Sequence, residues 1–274
     1  MWKLKKPNLN TALEVDIDNL ITHCRKLTPA DKGGLQSLYK LYDNQNGLLT
    51  DQQYDAYDSD KAEAILGQYR KTRKGGVYHY IRDELNATVG RCPYCGINQP
   101  DTLDHYMPES IFKALAVCRL NLVPLCSRCN NLKLDKPFAR FIHCYYQQYP
   151  DNIFLLAKVF TIKQRWVVTY SIDETAIPDK DLYDKIVFQC GEIELKKRLQ
   201  KEALTYLDDL CGQCVANSND ELRVWLKGRL NYSLTTYGKN DWRTALLRGL
   251  LAYPKLDIGI VAFNKVNTRS QAGA

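Results

Sequence analysis

Apolar and tyrosine side chains recur at three- and four-residue steps through much of the chain, and where that rhythm breaks the elements change. Across residues 8–72, Leu35, Leu38, Tyr39, Leu41 and Tyr42 keep a helical period. Turn signals at Lys32-Gly33-Gly34 and Asp43-Asn44-Gln45-Asn46-Gly47 punctuate it. Gly75-Gly76 precedes a helix predicted over 77–88 that runs directly into Cys92. Over 153–172, β-branched and aromatic residues crowd around Lys163-Gln164-Arg165, which predicts a β-hairpin. Helical spacing returns at 191–210, 219–230 and 240–252, as in Leu222, Trp225 and Leu226, then Trp242, Leu246, Leu247 and Leu250. The expected organisation has three parts. A helical N-terminal region, 1–80, offers a candidate partner-binding surface; a cysteine-organised element spans 81–150; a β-hairpin with a helical C-terminal region spans 151–274.

Composition narrows the class. With 45% hydrophobic and 25% charged residues in 274, the chain is long and apolar enough to bury a core and falls outside the disordered range. No run of about 18 uncharged apolar residues exists, and residues 1–7 carry positive charge without an apolar segment behind them, so a cytoplasmic, non-membrane protein is expected. The net charge of +7, from 38 Lys and Arg against 31 Asp and Glu, permits a polyanionic partner. It does not form a basic tail. Two clusters stand out: Arg70-Lys71-Thr72-Arg73-Lys74, and Arg119, Arg128, Lys133, Lys136 and Arg140 against only Asp135. Residues 43–47 lack the alternating oxygen ligands and closing Glu of a calcium loop, and no Gly-rich phosphate loop occurs anywhere.

Ten cysteines in a chain without a secretory signal point to metal binding rather than disulfides. Cys92/Cys95 and Cys126/Cys129 are two Cys-x-x-Cys pairs, each a tight turn that brings two thiolates to one ion. Together they complete a closed tetrahedral zinc shell. Gly96, directly after the first pair, suits a turn needing positive φ. Cys211 and Cys214 form a third pair without a partner and are expected to be non-ligands. Cys24, Cys118, Cys144 and Cys190 read as small apolar fillers, and His23, His79 and His143 as packed side chains.

A saturated zinc site has no open position for chemistry, so the residues between the pairs decide the reading. Asp104-His105 sets a carboxylate beside an imidazole, the stretch 120–125 reads as a second short strand, and Asn130 and Lys133 lie three apart on one helical face. Cys-Pro-Tyr-Cys-Gly, Asp-His-Tyr-Met-Pro, Asn-Leu-Val-Pro-Leu-Cys and Cys-Asn-Asn-Leu-Lys succeed one another in an order that resembles the HNH endonucleases. The resemblance implies a central ββα-metal zinc finger, and with the helical stretches and the hairpin read above the expected fold class is α+β: a mostly helical chain with that finger and a short β-hairpin after it. It implies that His105 is the general base, that Asn121 braces the loop carrying it, and that Asn130 stands where many members have a last histidine. Asp104 and Asn130 would then share a catalytic Mg²⁺ or Mn²⁺ distinct from the structural Zn²⁺. The long tyrosine-rich flank before the finger and the helical flank after it resemble HNH nucleases that accompany an ABC-type ATPase in Septu-like, sometimes retron-associated, anti-phage systems. That resemblance implies a separate ATPase partner.

Phosphodiester hydrolysis asks for these residue types. A divalent cation on hard oxygens such as those of Asp104 and Asn130 neutralises the phosphate, and a neutral imidazole takes a proton from water near pH 7. Lys133 and Arg128 read either as phosphate contacts on DNA or RNA or as a solvated helix face. A zinc module that binds nucleic acid or scaffolds a complex without catalysis is the alternative from another class; it has no need for Asp104, His105, Asn121 and Asn130 together.

Overall fold

The computed structural model describes residues 3–55, 57–134 and 136–271. Met1, Trp2 and Asp135, which entered the reading of the leader and of the second basic cluster, lie outside them. The chain divides into two compact units between Tyr149 and Pro150. The expected boundary at 80/81 falls inside the first unit.

In that first unit, helices α1 (Leu9–His23), α2 (Lys32–Asn44), α3 (Asp51–Asp55), α4 (Ser59–Leu66) and α5 (His79–Ala87) precede the cysteine element. Their apolar stripes converge: Leu13, Ile17 and Leu20 of α1, Leu35, Leu38, Tyr39 and Tyr42 of α2, Ile65 of α4 and Ile81 of α5 are all buried. Polar and charged side chains then tie these helices to the cysteine element, so the two do not form separate bodies. The Tyr39 hydroxyl donates to the Ala114 carbonyl (3.0 Å) and that of Tyr42 to Asn121 Oδ1 (3.1 Å). Arg119 donates to both carboxylate oxygens of Asp16 in α1, at 2.5 and 2.7 Å, and to Glu84 in α5 at 2.7 Å. Arg119 is buried, so it does not belong to a surface basic cluster. It neutralises a carboxylate that burial alone would push up.

The cysteine element is a strand–strand–helix. Strands β1 (Thr102–His105) and β2 (Leu122–Leu125) pair antiparallel with Asp104 opposite Val123 and His105 opposite Leu122, and α6 (Ser127–Lys133) comes directly after. The central ββα element of the expected fold class is therefore present.

In the second unit, β3 (Leu155–Ile162) and β4 (Arg165–Ile172) form the expected hairpin. Its two-residue turn, Lys163-Gln164, has positive φ at both positions (47° and 63°), the geometry that matches the right-handed twist of the strands. Trp166, Val168 and Tyr170 alternate inward along β4. Helices α7 (Lys180–Glu192), α8 (Leu195–Gln213), α9 (Asn219–Tyr237), α10 (Trp242–Leu251) and α11 (Ile258–Gln271) complete it, with α10 packed along β3 and α8 along β4. Periodicity predicted one helix over 191–210. A left-handed residue, Glu194 (φ 51°), instead separates α7 from α8. Among the described residues no helix is long and apolar enough to cross a membrane.

Candidate metal centre and catalytic cleft

The two cysteine turns are built differently. In the first, the Gly96 amide donates to the Cys92 carbonyl (2.8 Å), Gly96 takes φ 67°, and the Ile97 amide points at Cys95 Sγ (3.4 Å). In the second, Cys126 is the extended N-cap of α6 and Cys129 lies in its first turn, where the Asn130 amide donates to the Cys126 carbonyl (3.0 Å). The β1–β2 pairing carries the second turn to the first. All four sulfurs lie within 4.8 Å of one another and are buried. Cys95 and Cys126 sulfurs are 3.8 Å apart, which is the edge of a tetrahedron about 2.3 Å in radius, the Zn–S bond length. Donor type, number and spacing all fit zinc. Among the described residues no other group of three or more His, Cys, Asp or Glu ligand atoms is as compact. Cys211 and Cys214 are buried in the other unit, outside any such group.

Beside this centre opens a cleft of about 310 Å³ whose walls include Tyr69, Asp104, His105, Glu109, Asn130 and Lys133. His105 Nε2 lies 2.9 Å from the Ala116 carbonyl. A carbonyl only accepts, so Nε2 carries the proton and Nδ1 is the unprotonated nitrogen of the neutral ring. Burial pushes the His105 pKa down to about 4, so the ring is the free base at neutral pH. The Tyr69 ring meets it edge-on with centroids 4.3 Å apart, and the Tyr69 hydroxyl donates to the Leu103 carbonyl (2.8 Å), so one side of the imidazole is walled by a residue tied to β1.

Asp104 is buried, which pushes its carboxyl up to about 6, against the opposing pull of the Lys133 ammonium. It therefore remains ionised at pH 7. Lys133 Nζ donates to Asp104 Oδ1 (3.2 Å) and to the His105 carbonyl (2.8 Å). Asp104 Oδ2 is 2.9 Å from the same nitrogen, near enough for an ion pair but too poorly angled for a hydrogen bond, and Glu109 Oε2 is buried without a hydrogen bond. Asn130 Nδ2 donates to Thr102 Oγ1 (3.3 Å), which leaves its Oδ1 as the free acceptor. Asp104 Oδ2, beside the Lys133 ammonium, Glu109 Oε2, 3.5 Å from His105 Nδ1, and the Asn130 carboxamide oxygen belong to residues of one cleft and are hard donors of the kind Mg²⁺ or Mn²⁺ takes, alongside water and substrate oxygens. The donor types suit such an ion.

Asn121, fully buried, sits just before β2. Its Oδ1 accepts from the Met107 amide (2.8 Å) and from Tyr42, and its Nδ2 donates to the Met107 carbonyl (3.0 Å) and, weakly, to the Leu115 carbonyl (3.4 Å). It thus holds both ends of the loop between β1 and β2, including the segment that supplies the Ala116 carbonyl to His105. Tyr42 in turn lies 3.0 Å from His143 Nε2. Because the single Tyr42 hydrogen is given to Asn121, the His143 ring is the donor there, and its Nδ1 receives the Tyr145 amide (3.4 Å).

The structure brings Asp104, His105, Asn130 and Lys133 to one cleft and puts Asn121 behind it. Arg128 is exposed on α6. Lys133 is not a solvated face residue: it is 2% exposed and committed to Asp104 and the His105 carbonyl. His23 is exposed and His79 pairs with Asp83 at 2.7 Å, so of the three histidines expected to be packed only His143 is. Sequence reasoning missed Tyr42, Tyr69, Glu109 and His143 as site residues. Glu109 carried a signal, standing four residues after His105; Tyr42 read only as part of a helical stretch, His143 only as a packed side chain, and nothing singled out Tyr69.

Residues 92–136 match the family model described as HNH endonuclease, from the first cysteine of the four-cysteine cluster to just beyond α6. No curated protein and no solved structure matches the chain. This segment is thus an HNH-type domain bearing a four-cysteine site, a class of domain that acts on or binds nucleic acid, and it forms a small part of the chain.

Proposed function

We propose that the protein is a divalent-metal-dependent nuclease that hydrolyses phosphodiester bonds, with His105 as general base. One observation carries this reading: a neutral imidazole whose Nε2 is committed to the Ala116 carbonyl presents its unprotonated Nδ1 to a cleft shared with Asp104 and Asn130. In the reaction, water attacks phosphorus, its proton passes to His105 Nδ1, and the bond to the departing sugar oxygen breaks. Asp104 and Asn130 would hold the Mg²⁺ or Mn²⁺ ion, which when bound neutralises the phosphate and stabilises the departing oxyanion. Lys133 keeps the Asp104 carboxylate ionised and aimed. Asn121 keeps the β1–β2 loop, and with it the His105 tautomer, in place. The zinc holds the element closed without entering the chemistry.

The finer reading is that of an effector controlled in the cytoplasm by a separate ABC-type ATPase, as in Septu-like anti-phage systems. It rests on the resemblance in organisation and on the lack of any phosphate loop in this sequence. A second reading, a zinc module that binds nucleic acid without cutting, is favoured by one observation: an ammonium already neutralises Asp104. The discriminating experiment is cleavage of plasmid DNA and of RNA with Mg²⁺ or Mn²⁺, by wild type and His105→Ala, alone and with the ATPase chain. We expect cutting by wild type and its loss in the variant. Equal cutting by both would remove His105 from the mechanism, and binding without cutting under every condition would favour the silent module.

A further inference from the structure

On the nuclease reading the cleft receives one phosphate, and the lysine that lines it, Lys133, is spent on Asp104; a polyanion then needs charge elsewhere to be held in register. We infer that Arg70, Arg73 and Lys74 form a pre-shaped rim that grips the sugar-phosphate backbone of a nucleic acid lying across the cleft. This inference rests on the nuclease reading only for the identity of the polyanion.

The turn Tyr69–Thr72 begins at the cleft wall itself, because Tyr69 covers His105 and is hydrogen-bonded to Leu103 of β1. Its far side is tied to the same element. Arg82 of α5 donates through Nε to the Thr72 carbonyl (3.3 Å) and through Nη1 to the carbonyl of Asp101 (3.4 Å), the residue before β1. Asp101 in turn accepts the Ser127 amide at the start of α6 (2.5 Å). Within the loop, the Tyr78 amide returns to the Lys71 carbonyl (3.0 Å), and Gly76 packs so closely on that carbonyl that no Cβ would fit. Lys71 itself donates to the His23 carbonyl (3.4 Å). The basic segment is therefore held on the cleft's side of the unit by side-chain and backbone contacts at both ends.

Arg70, Arg73 and Lys74 are exposed, and among the described residues no carboxylate pairs with any of these three side chains. Arg119 and Lys113, by contrast, are spent on Asp16 and Glu63. A short tight turn advances about 2 Å per residue. That turn ends at Thr72 and Arg73 is extended, so the three basic residues start within roughly 13 Å of Tyr69, a little over one Debye length at 0.1 M salt. Unpaired charges carried on an anchored backbone at that range attract a phosphate chain without the cost of ordering that backbone. An unanchored basic tail would not.

The test uses the full-length chain carrying His105→Ala, so that probes stay intact, without added divalent cation. Binding of a short labelled DNA duplex and of a single-stranded RNA is monitored by fluorescence anisotropy over a salt series. At about 0.9 per phosphate contact on a duplex and about 0.7 on a single strand, losing three contacts lowers the slope of log K against log salt by about 2.7 or about 2.1. We expect R70Q/R73Q/K74Q to show one of these drops with zinc content unchanged, the probe that shows it identifying the nucleic acid. R70K/R73K should keep the parental slope, which separates charge from packing. So should K196Q/K197Q/K201Q, three exposed lysines in the other unit. An unchanged slope in the first variant, an equal drop in the control triple, or a parent that binds neither probe overturns the inference. Wild-type cutting with an unchanged slope would sink this rim and leave the nuclease reading standing; a lost slope in a protein whose wild type never cuts would do the reverse.

Discussion

Removing the Asn121 side chain would strike the support of the site without touching the cleft. In Asn121→Ala the Met107 amide, the Met107 carbonyl and the Tyr42 O–H lose the partner that Asn121 supplies, in a place with no solvent exposure, while the Tyr42 oxygen keeps His143 Nε2. Each buried polar group left unmade costs about 1–3 kcal/mol. The Leu115 contact at 3.4 Å adds little. Allowing a water to enter the space and recover part of the loss, the total comes to about 3–5 kcal/mol, in the upper tail for a single substitution. Of the four tryptophans, Trp166, Trp225 and Trp242 lie in the other unit. The useful assay is therefore guanidinium denaturation read out by zinc release to a chromophoric chelator. Asn121→Asp is the sharper variant, because an oxygen would replace the nitrogen that faces the Met107 and Leu115 carbonyls. It should be at least as harmful as alanine at pH 7. A loss under about 1 kcal/mol for alanine, or an aspartate variant as stable as wild type, would refute the argument that four convergent hydrogen bonds hold this loop.

Tyr42→Phe removes one donor and one acceptor from the same network and should cost about 1–2 kcal/mol, with a coupling to Asn121→Ala above about 0.5 kcal/mol in a double-mutant cycle; strict additivity would mean the two side chains act independently. His143 is buried, and its pKa is pushed down to about 3. The unfolded chain, with a pKa of about 6.5, binds the proton first, so stability is intact above pH 6.5 and falls by about 1.4 kcal/mol per unit below it, until near pH 3. Burial also pushes the His105 pKa down, to about 4, and its slope of the same sign remains in the variant, so His143→Gln should narrow the stability gap between pH 7 and pH 5 by about 2 kcal/mol without closing it, and an unaltered gap would contradict this. Arg119→Met strands the buried Asp16 carboxylate and should cost about 3–5 kcal/mol, whereas D16L/R119M should recover most of it; a double variant as unstable as the single would show that the pair is not what matters. Cys92→Ser should abolish zinc binding and expose residues 2–149 to limited proteolysis while the unit 150–274, with its own core, survives; a protected first unit without zinc would show that its helices stand alone.

Much of the site could be read along the chain because its logic is local. Two Cys-x-x-Cys turns, a hairpin around Lys163-Gln164-Arg165, and Asp104 next to His105 each depend on neighbours a few residues away, where spacing and backbone preference suffice. The break at Glu194 could not be read, because apolar periodicity runs across it. Nor could the fate of the cations. Arg119 and Lys133 sit in one basic stretch, and composition alone makes both candidates for a phosphate; what removes them is Asp16, 103 residues away, and Asp104, 29 residues away.

What the sequence by itself determined is therefore the chemistry available: four thiolates for zinc, an imidazole beside a carboxylate, two asparagines and a helical frame. The tertiary structure decided how each is used. It chose the nitrogen of His105 that stays unprotonated by bringing the Ala116 carbonyl to the other one, drew Tyr69 over the ring, and brought Tyr42 and His143 together behind Asn121 from positions 79 residues before it and 22 after. Hydrogen bonds act over about 3 Å, and the order of residues in a chain carries no record of which distant polar groups will come that close once burial removes water from between them.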